Sequence, residues 1–161
     1  MDLDAVVSQH AKNFTWREMF RSEFAARHRL DNVATDPAIL ENIRHVAERV
    51  LQPIRDHFGI AFSPNSVYRS PAVNTGIGGS ATSQHMKGEA ADIAIPGISN
   101  HALALWIEFK LRGTFDQLIL EMYTPGAPNS GWVHCSTKRS GDQRSDVKTY
   151  TGTRYLPGLV A

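Results

Sequence analysis

The chain has 161 residues, 42% of them hydrophobic and 20% charged, a size that suits one domain with its own core and is too small for two ordinary ones. The 17 basic and 16 acidic residues leave a net charge of +1, so no overall field favours nucleic acid or an anionic membrane as a partner. The single cysteine, Cys135, excludes an internal disulfide framework, and the fold cannot depend on an oxidising compartment.

The N-terminal region carries no targeting signal. The start, Met1-Asp2-Leu3-Asp4, is acidic and lacks a basic segment followed by an apolar run, and no stretch approaches the roughly 20 apolar residues that span a bilayer. We therefore expect a protein that is made in the cytoplasm and does not bind membranes. Residues 1–35 include a mixed aromatic and charged run at 14–20, which indicates a short helix capping the core.

The clearest helix covers residues 37–58. Asp36 can cap its start and Gly59 can end it, and apolar residues recur at helical spacing: Leu40, Ile43, Ala47, Val50, Leu51, Ile54 and Phe58. Pro53 should bend or divide this helix, because its ring removes a backbone donor and crowds the preceding turn. A shorter helix is expected over residues 100–111, with four large side chains facing inward: Leu103, Leu105, Trp106 and Phe109.

Four segments have the composition of β-strands, namely residues 66–70, 90–95, 115–122 and 131–136. The glycine-rich residues 74–82 are expected to form a loop, and a phosphate cradle is disfavoured because Ala81 stands where a dinucleotide motif needs its third glycine. The order of elements predicts an α+β fold with N-terminal helices on a small, mainly antiparallel sheet. We expect one domain over residues 1–161, with a cap at 1–35, a catalytic core at 36–137 and a polar C-terminal extension at 138–161.

Three side chains are candidate metal ligands. Strand alternation puts Asp92 beside small alanines that leave room for a metal, and it turns His134 to the face opposite Cys135. His85 precedes a turn at Gly88 that could fold it back over the strand carrying Asp92. Each residue alone would more often be an ordinary turn or core residue, but two imidazoles and one carboxylate together favour a zinc site with an open position.

The same residues occur in a recognisable order of motifs. Ser, His, Gly, Ala and Asp stand at positions 83, 85, 88, 90 and 92, and Trp132-Val133-His134 follows them. With residues 68–74, the 78–80 loop and residues 115–119, this order resembles the zinc D-alanyl-D-alanine carboxypeptidase family over residues 50–136. That family includes vancomycin-resistance D,D-dipeptidases, phage peptidoglycan endopeptidases and the hedgehog signalling domain, and the chain most resembles its short phage or prophage members.

The resemblance implies that one zinc ion is bound by His85, Asp92 and His134. It also implies that Arg69 binds the substrate carboxylate or the polarised carbonyl oxygen, for which a planar guanidinium is suited. Ser83 would hydrogen-bond near the metal, and Trp132 would pack against the cleft wall. The alternatives are a structural ion pair for Arg69 and a plain turn serine at position 83.

This chain differs from the family pattern at the position of the general base. Family members usually carry an acidic residue three positions before the second histidine ligand, where this chain has Gly131. Glu121, at the end of a predicted strand, is the candidate that replaces it, because a proton acceptor is needed within hydrogen-bonding reach of the attacking water. An exposed strand-end glutamate is the alternative. Other weaker candidates for the base are Glu89, Asp116 and His101.

These observations lead to one main functional expectation. We expect a monomeric zinc peptidase that hydrolyses peptidoglycan stem peptides or cross-links, as a phage-type endopeptidase or a D,D-carboxypeptidase, with no nucleic-acid or membrane partner. It would reach the cell wall after release or as a virion component. The alternative, which Gly131 permits, is a zinc-containing wall-binding or virion structural module without turnover.

Overall fold

A computed structural model describes residues 1–161, with helices in its first half and mostly strands in its second. The helices are α1 Trp16–Phe20, α2 Glu23–His28, α3 Pro37–Val46, α4 Gln52–Phe58, α5 Pro71–Gly76 and α6 Asn100–Lys110, with a π-helical segment Ala47–Leu51 and a 3-10 helix Gln84–Lys87. The strands are β1 Ala90–Ile93, β2 Gln117–Glu121, β3 Trp132–Ser136, β4 Asp146–Tyr150 and β5 Tyr155–Pro157. None of the helices combines the length and the apolar character needed to cross a membrane.

The five strands form one sheet in the order β1-β3-β2-β4-β5. Strand β3 lies between β1 and β2 and is antiparallel to both, and β5 is antiparallel to β4. Strands β2 and β4, however, run parallel. The expected α+β class is therefore confirmed, whereas the sheet is mixed rather than simply antiparallel.

The predicted long helix is present and runs without a gap from residue 37 to residue 58, with a π-helical segment inside it. The Asp36 carboxylate accepts a hydrogen bond from the Ala38 N–H at 2.8 Å, and Gly59 ends the helix with a φ of +67°. The missing N–H of Pro53 does not break the helix. Instead, residues Ala47–Leu51 widen into a π-helical turn just before it, the type of local adjustment that accommodates an interrupted hydrogen-bond ladder.

The core lies between the helical half and one face of the sheet. It joins apolar side chains from the N-terminal region, the long helix and the strands, including Val7, Phe14, Met19, Ile43, Val50, Ile54, Ile93, Leu118, Leu120 and Val133. Residues 1–35 therefore supply core side chains in addition to covering the helices. Cys135 is fully buried in the same cluster, as strand alternation predicted.

Two predictions for the middle of the chain are wrong. Residues 66–70 form only an isolated bridge between Ser66 and Asp92, because the Ser70 hydroxyl caps α5 and Pro71 begins that helix. Helix α5 also replaces the first part of the loop expected at 74–82.

The inward face of α6 was predicted only in part. Leu103 is buried as expected, together with Ala104 and Ile107, whereas Leu105 and Phe109 are 46% and 77% exposed. Apolar residues occur all around this helix, so their spacing alone does not select the buried face. Trp106 is partly buried against the core, as expected.

The C-terminal extension, in which no strand was predicted, forms β4 and β5, which continue the sheet beyond β2. Most side chains of these strands are only partly buried, so the hydrophobic alternation that reveals a strand is weak here. The backbone ladder and a few anchors such as Thr149, which is fully buried, hold the two strands in place.

Candidate metal centre and cleft

Antiparallel pairing of β1 and β3 places two predicted ligands side by side. Asp92 and His134 are direct cross-strand partners, an arrangement that brings side chains on the same face close together. The Asp92 Oδ1 atom lies 3.1 Å from His134 Nδ1. Strand alternation thus accounts for two of the three side chains of the cluster.

The third side chain reaches the cluster from the 3-10 helix before β1. Gly88 ends this helix with a φ of +69°, and a Cβ atom there would lie 2.9 Å from the backbone oxygen of Ile39. A glycine is therefore needed for the turn to pack against α3. His85 Nδ1 lies 2.8 Å from the Val67 carbonyl oxygen, so an Nδ1–H donor to that oxygen leaves Nε2 as the free lone pair.

The three free ligand atoms have the spacing that zinc requires. His85 Nε2 lies 3.2 Å from Asp92 Oδ1 and 3.3 Å from His134 Nδ1, which completes a triangle with the 3.1 Å contact between Asp92 and His134. Tetrahedral zinc with bonds of about 2.0–2.1 Å has ligand atoms roughly 3.3 Å apart. All three residues are buried and form the one group in the structure with metal-ligand geometry, so the donor set fits a zinc ion.

The charges of the cluster also suit a metal. Burial lowers the pKa of His85, which favours the neutral imidazole that a metal needs. Burial alone would raise the pKa of Asp92, but the neighbouring His85 and His134 rings outweigh this effect and hold the pKa well below the ordinary value. An ionised carboxylate beside a neutral imidazole is the protonation pattern of a site ready to bind zinc.

Residues 65–69 form one wall of the site and contact both segments that carry its ligands. Hydrogen bonds of 2.8 Å join the Asn65 N–H to the Asp92 carbonyl and the Asp92 N–H to the Ser66 carbonyl. The Arg69 N–H donates to the His85 carbonyl at 3.2 Å. Together with the bond from His85 to the Val67 carbonyl, these contacts hold both ligands against the same short segment.

The Arg69 side chain lies at the metal cluster itself. Its Nε donates to the Ser66 hydroxyl at 2.9 Å, and its Nη2 donates to Asp92 Oδ2, the carboxylate oxygen that faces away from the two histidines. Arg69 also lines the open cleft. The structure thus contains the ion pair that was the alternative for this residue, in a position that also borders the space above the ligands.

Glu121 lies on the same face of the sheet as His134. It pairs with Trp132 across β2 and β3, two residues from the pair formed by Ile119 and His134, and it lines the cleft. Burial raises the pKa of Glu121, the charge of Asp92 adds to this effect, and His134 and Arg69 oppose it. The predicted base is therefore half-buried within the electrostatic reach of the metal cluster.

The backbone explains why position 131 has no side chain. Gly131 has a φ of +67°, and a Cβ atom there would lie 1.7 Å from the Glu121 carbonyl oxygen. A residue with a side chain therefore does not fit this backbone at position 131, and Gly131 packs directly on the backbone of Glu121.

The other candidates for the base are placed differently. Glu89 lines the cleft, and burial raises its pKa. Asp116 also lines the cleft, but Arg144 and Lys138 bind both of its oxygens. His101 stacks on Tyr123 at 5.9 Å, away from the cleft-lining residues.

The cleft has a volume of about 600 Å³ and is mostly polar. Every predicted site residue lines it: Arg69, Ser83, His85, Asp92, Glu121, Trp132 and His134. The sequence interpretation missed several further lining residues, among them Lys87, Gln117, Lys138, Arg144 and Tyr155. The lining residues after position 136 lie in the C-terminal extension, which was predicted to be polar but was not predicted to reach the site.

Comparison with known proteins agrees with this geometry. No curated protein sequence matches the chain. A family model described as Peptidase M15 matches residues 12–136, a range that contains all three ligands of the metal cluster, Arg69 and Glu121. The chain therefore belongs to the peptidase M15 family, whose members are zinc-dependent peptidases of the D-alanyl-D-alanine carboxypeptidase type.

Proposed function

We propose that this protein is a zinc peptidase that hydrolyses peptide bonds in bacterial peptidoglycan, as a phage- or prophage-type endopeptidase or a D,D-carboxypeptidase. The observation that carries the proposal is the triangle of buried ligand atoms, 3.1–3.3 Å apart, beside an open cleft in a member of the M15 family. Residues 1–161 would act as one domain, since Phe14 and Met19 of the N-terminal region share the core with the sheet. The protein would meet its substrate after release from the cell or as a virion component.

Different residues of the cleft would have different roles in peptide hydrolysis. His85 Nε2, Asp92 Oδ1 and His134 Nδ1 would hold zinc, which when bound polarises the scissile carbonyl and makes water more acidic. The Glu121 carboxylate would accept the proton of the attacking water and return it to the leaving nitrogen. Burial of this carboxylate supports the role, because a base in a partly dry site is more basic than one in bulk water.

Arg69 would hold the substrate without leaving Asp92. Its guanidinium uses Nε and Nη2 for Ser66 and Asp92, and an arginine has five N–H donors in a fixed plane. The remaining donors would bind a substrate carboxylate or the scissile carbonyl oxygen. Ser83 and Trp132 would line the walls on either side.

A second candidate is a zinc-containing binding module without turnover. The specific observation in its favour is Gly131, because the acidic residue usual in the family is missing and the backbone has no room for it. Such a module would hold wall peptides or stabilise a virion assembly. It differs from the peptidase in one measurable respect, the absence of new amine ends.

Digestion of purified sacculi by the zinc-loaded protein tests the choice between the two. We expect new amine ends, and mass spectrometry of the fragments would separate an endopeptidase, which splits cross-links or stems, from a carboxypeptidase, which releases D-alanine. Glu121→Gln should lower the rate by about 10²–10⁴-fold while keeping one zinc per chain. Glu108→Gln on α6 is the matched control, because Glu108 lies outside the cleft and pairs with Arg112.

The contrary outcomes are distinct. Stoichiometric zinc without new amine ends would favour the binding module. Hydrolysis that survives both chelation and His85→Ala would refute the zinc mechanism. Full activity of Glu121→Gln would leave the peptidase assignment in place and remove Glu121 as its base.

A further inference from the structure

The cleft extends beyond the part of the chain that matches the family. That match ends at Ser136, yet Lys138, Arg144 and Tyr155 also line the cleft. Lys138 and Arg144 precede β4, and Tyr155 begins β5. The far wall of the cleft is therefore built by residues that the family comparison does not describe.

Two of these residues are cations held by one buried carboxylate. Asp116 is 1% exposed, and its Oδ2 accepts from Arg144 Nε at 2.9 Å and Nη2 at 2.6 Å. Its Oδ1 lies 2.8 Å from Lys138 Nζ and accepts the Arg144 backbone N–H at 3.1 Å. The Gln143 side chain donates to the Lys138 carbonyl at 2.7 Å and so links the two ends of the segment 138–143.

This arrangement leaves positive charge facing the cleft. Asp116 supplies one negative charge for the two cations, Lys87 offsets Glu89, and Asp146, which also acts on Arg144, is paired with Lys148 at 2.8 Å. The side chains of Lys138 and Arg144 remain 30% and 54% exposed. Each still has N–H donors that Asp116 does not use, and cations fixed in advance bind an anion at a smaller entropic cost than mobile ones.

The backbone of Asp116, the residue that holds the two cations, is anchored on β3 two residues from His134. The Asp116 N–H donates to the Ser136 carbonyl at 2.7 Å, and Ser136 follows His134 by two residues on β3. At about 3.4 Å per residue, this step is roughly 7 Å. An extended peptide covers the same distance in two residues.

We propose that Lys138 and Arg144 form a subsite for a substrate carboxylate in the same cleft as the metal cluster. The inference rests on the proposed function, since it assigns a substrate feature to the same cleft. A stem peptide offers two carboxylates of this kind, the free α-carboxylate of its γ-linked D-glutamate and the C-terminal carboxylate. Both would be recognised by the same charge-assisted hydrogen bonds.

Three synthetic peptides test the subsite with the full-length, zinc-loaded protein. The reference is L-Ala-γ-D-Glu-L-Lys-D-Ala-D-Ala, and the other two carry a carboxamide either on the D-glutamate or at the C-terminus. The readouts are kcat/KM from amine release and the Kd of each peptide for the Glu121→Gln protein by calorimetry. The variants are Lys138→Gln and Arg144→Gln, with Arg139→Gln as the control, because Arg139 is an exposed neighbour that does not line the cleft.

We expect one of the two amidations to lower kcat/KM and to weaken binding by about tenfold in the wild type and in Arg139→Gln. The penalty should fall below twofold in Lys138→Gln and Arg144→Gln, because the charge that distinguishes acid from amide is reduced. The amidation that lowers kcat/KM and weakens binding identifies which carboxylate is bound. Each penalty is a ratio within one variant, so partial unfolding of Arg144→Gln would not imitate the result.

Two results would overturn the subsite. The first is equal treatment of all three peptides by the wild type, and the second is a penalty that persists in both variants. Failure of the proposed function is distinguishable, because a protein that cleaves none of the peptides still gives three Kd values. A difference among those values that depends on Lys138 and Arg144 would support the subsite in a binding module.

Discussion

Replacing Gly131 with alanine tests the contact that separates this chain from the family pattern. The added Cβ atom would lie 1.7 Å from the Glu121 carbonyl oxygen, which is a backbone atom and cannot rotate away. The φ of +67° adds strain for any residue with a side chain. The backbone at Glu121 or the turn before β3 must therefore move.

The free-energy cost of the positive φ and the cost of the close contact can be estimated separately. A left-handed conformation costs a non-glycine residue about 1–2 kcal/mol, and forcing extra volume into a packed position costs about 1–3 kcal/mol more. Gly126 provides the matched control, since its φ is +82° and a Cβ atom there meets nothing within 4 Å. Gly126→Ala should show the conformational cost alone, while Gly131→Ala should lose about 2–5 kcal/mol of the free energy of unfolding in total.

Thermal unfolding of the two variants in the same metal state measures the difference. For a chain of this length, each kcal/mol lowers the Tm by about 2–4 °C, so Gly131→Ala should unfold at least about 3 °C below Gly126→Ala. Peptidase activity should fall as well, because the Glu121 backbone shifts. Equal Tm values for the two variants would show that the close approach at Glu121 is not a constraint and that position 131 can carry a side chain.

Three further predictions concern the metal, Asp116 and the cysteine. Removal of zinc by chelation should lower the Tm by about 10 °C when the metal is present at roughly 1,000 times its Kd. His85→Ala should abolish this shift, and His10→Ala, at an exposed loop position, should keep it. Burial would raise the pKa of Asp116, but hydrogen bonds from Arg144 and Lys138 outweigh it and lower the pKa. The stabilisation from Asp116 is thus present above the unfolded pKa of about 3.9 and is lost as pH falls through the lower folded pKa. Asp116→Asn should therefore cost about 1–3 kcal/mol in urea unfolding at pH 7, and the gap to the wild type should narrow below pH 4. Burial raises the pKa of the Cys135 thiol to about 12, so a thiol reagent at pH 8 should label the denatured protein and leave the native protein unmodified.

Each of these expectations has a clear contrary result. A chelation shift that survives in His85→Ala would place the metal elsewhere. A cost of Asp116→Asn that stays constant from pH 7 to pH 3 would show that folding does not lower the pKa of the Asp116 carboxyl. Rapid labelling of native Cys135 would mean that β3 opens far more easily than its buried position implies.

The candidate metal ligands could be predicted from the sequence because local rules decide the placement of their side chains. The two-residue period of a strand fixes the face of Asp92 and of His134 independently of the rest of the fold. The glycine at position 88 signalled the turn that brings His85 back. The register of the strands could not be predicted, because no local feature of the sequence indicates that Asp92 and His134 are direct partners across β1 and β3.

The far wall of the cleft was missed for a different physical reason. Strands β4 and β5 form at the sheet edge with side chains that are mostly half-buried, so their residues lack the apolar alternation that predicts a strand. Their position depends on the parallel pairing of β2 with β4, a long-range contact. The sequence therefore did not link Lys138 and Arg144 to the site, because only the folded structure brings them together around Asp116.

The wall formed by residues 65–69 limits how this cleft could be redesigned. Its carbonyl groups orient His85 and pair with the backbone of Asp92, so a change of loop length or sequence there would disturb metal affinity together with substrate contacts. The opposite wall, which carries Lys138, Arg144 and Tyr155, makes no hydrogen bond to the three ligands. A library aimed at a new peptide specificity should therefore vary the C-terminal wall and leave residues 65–69 untouched.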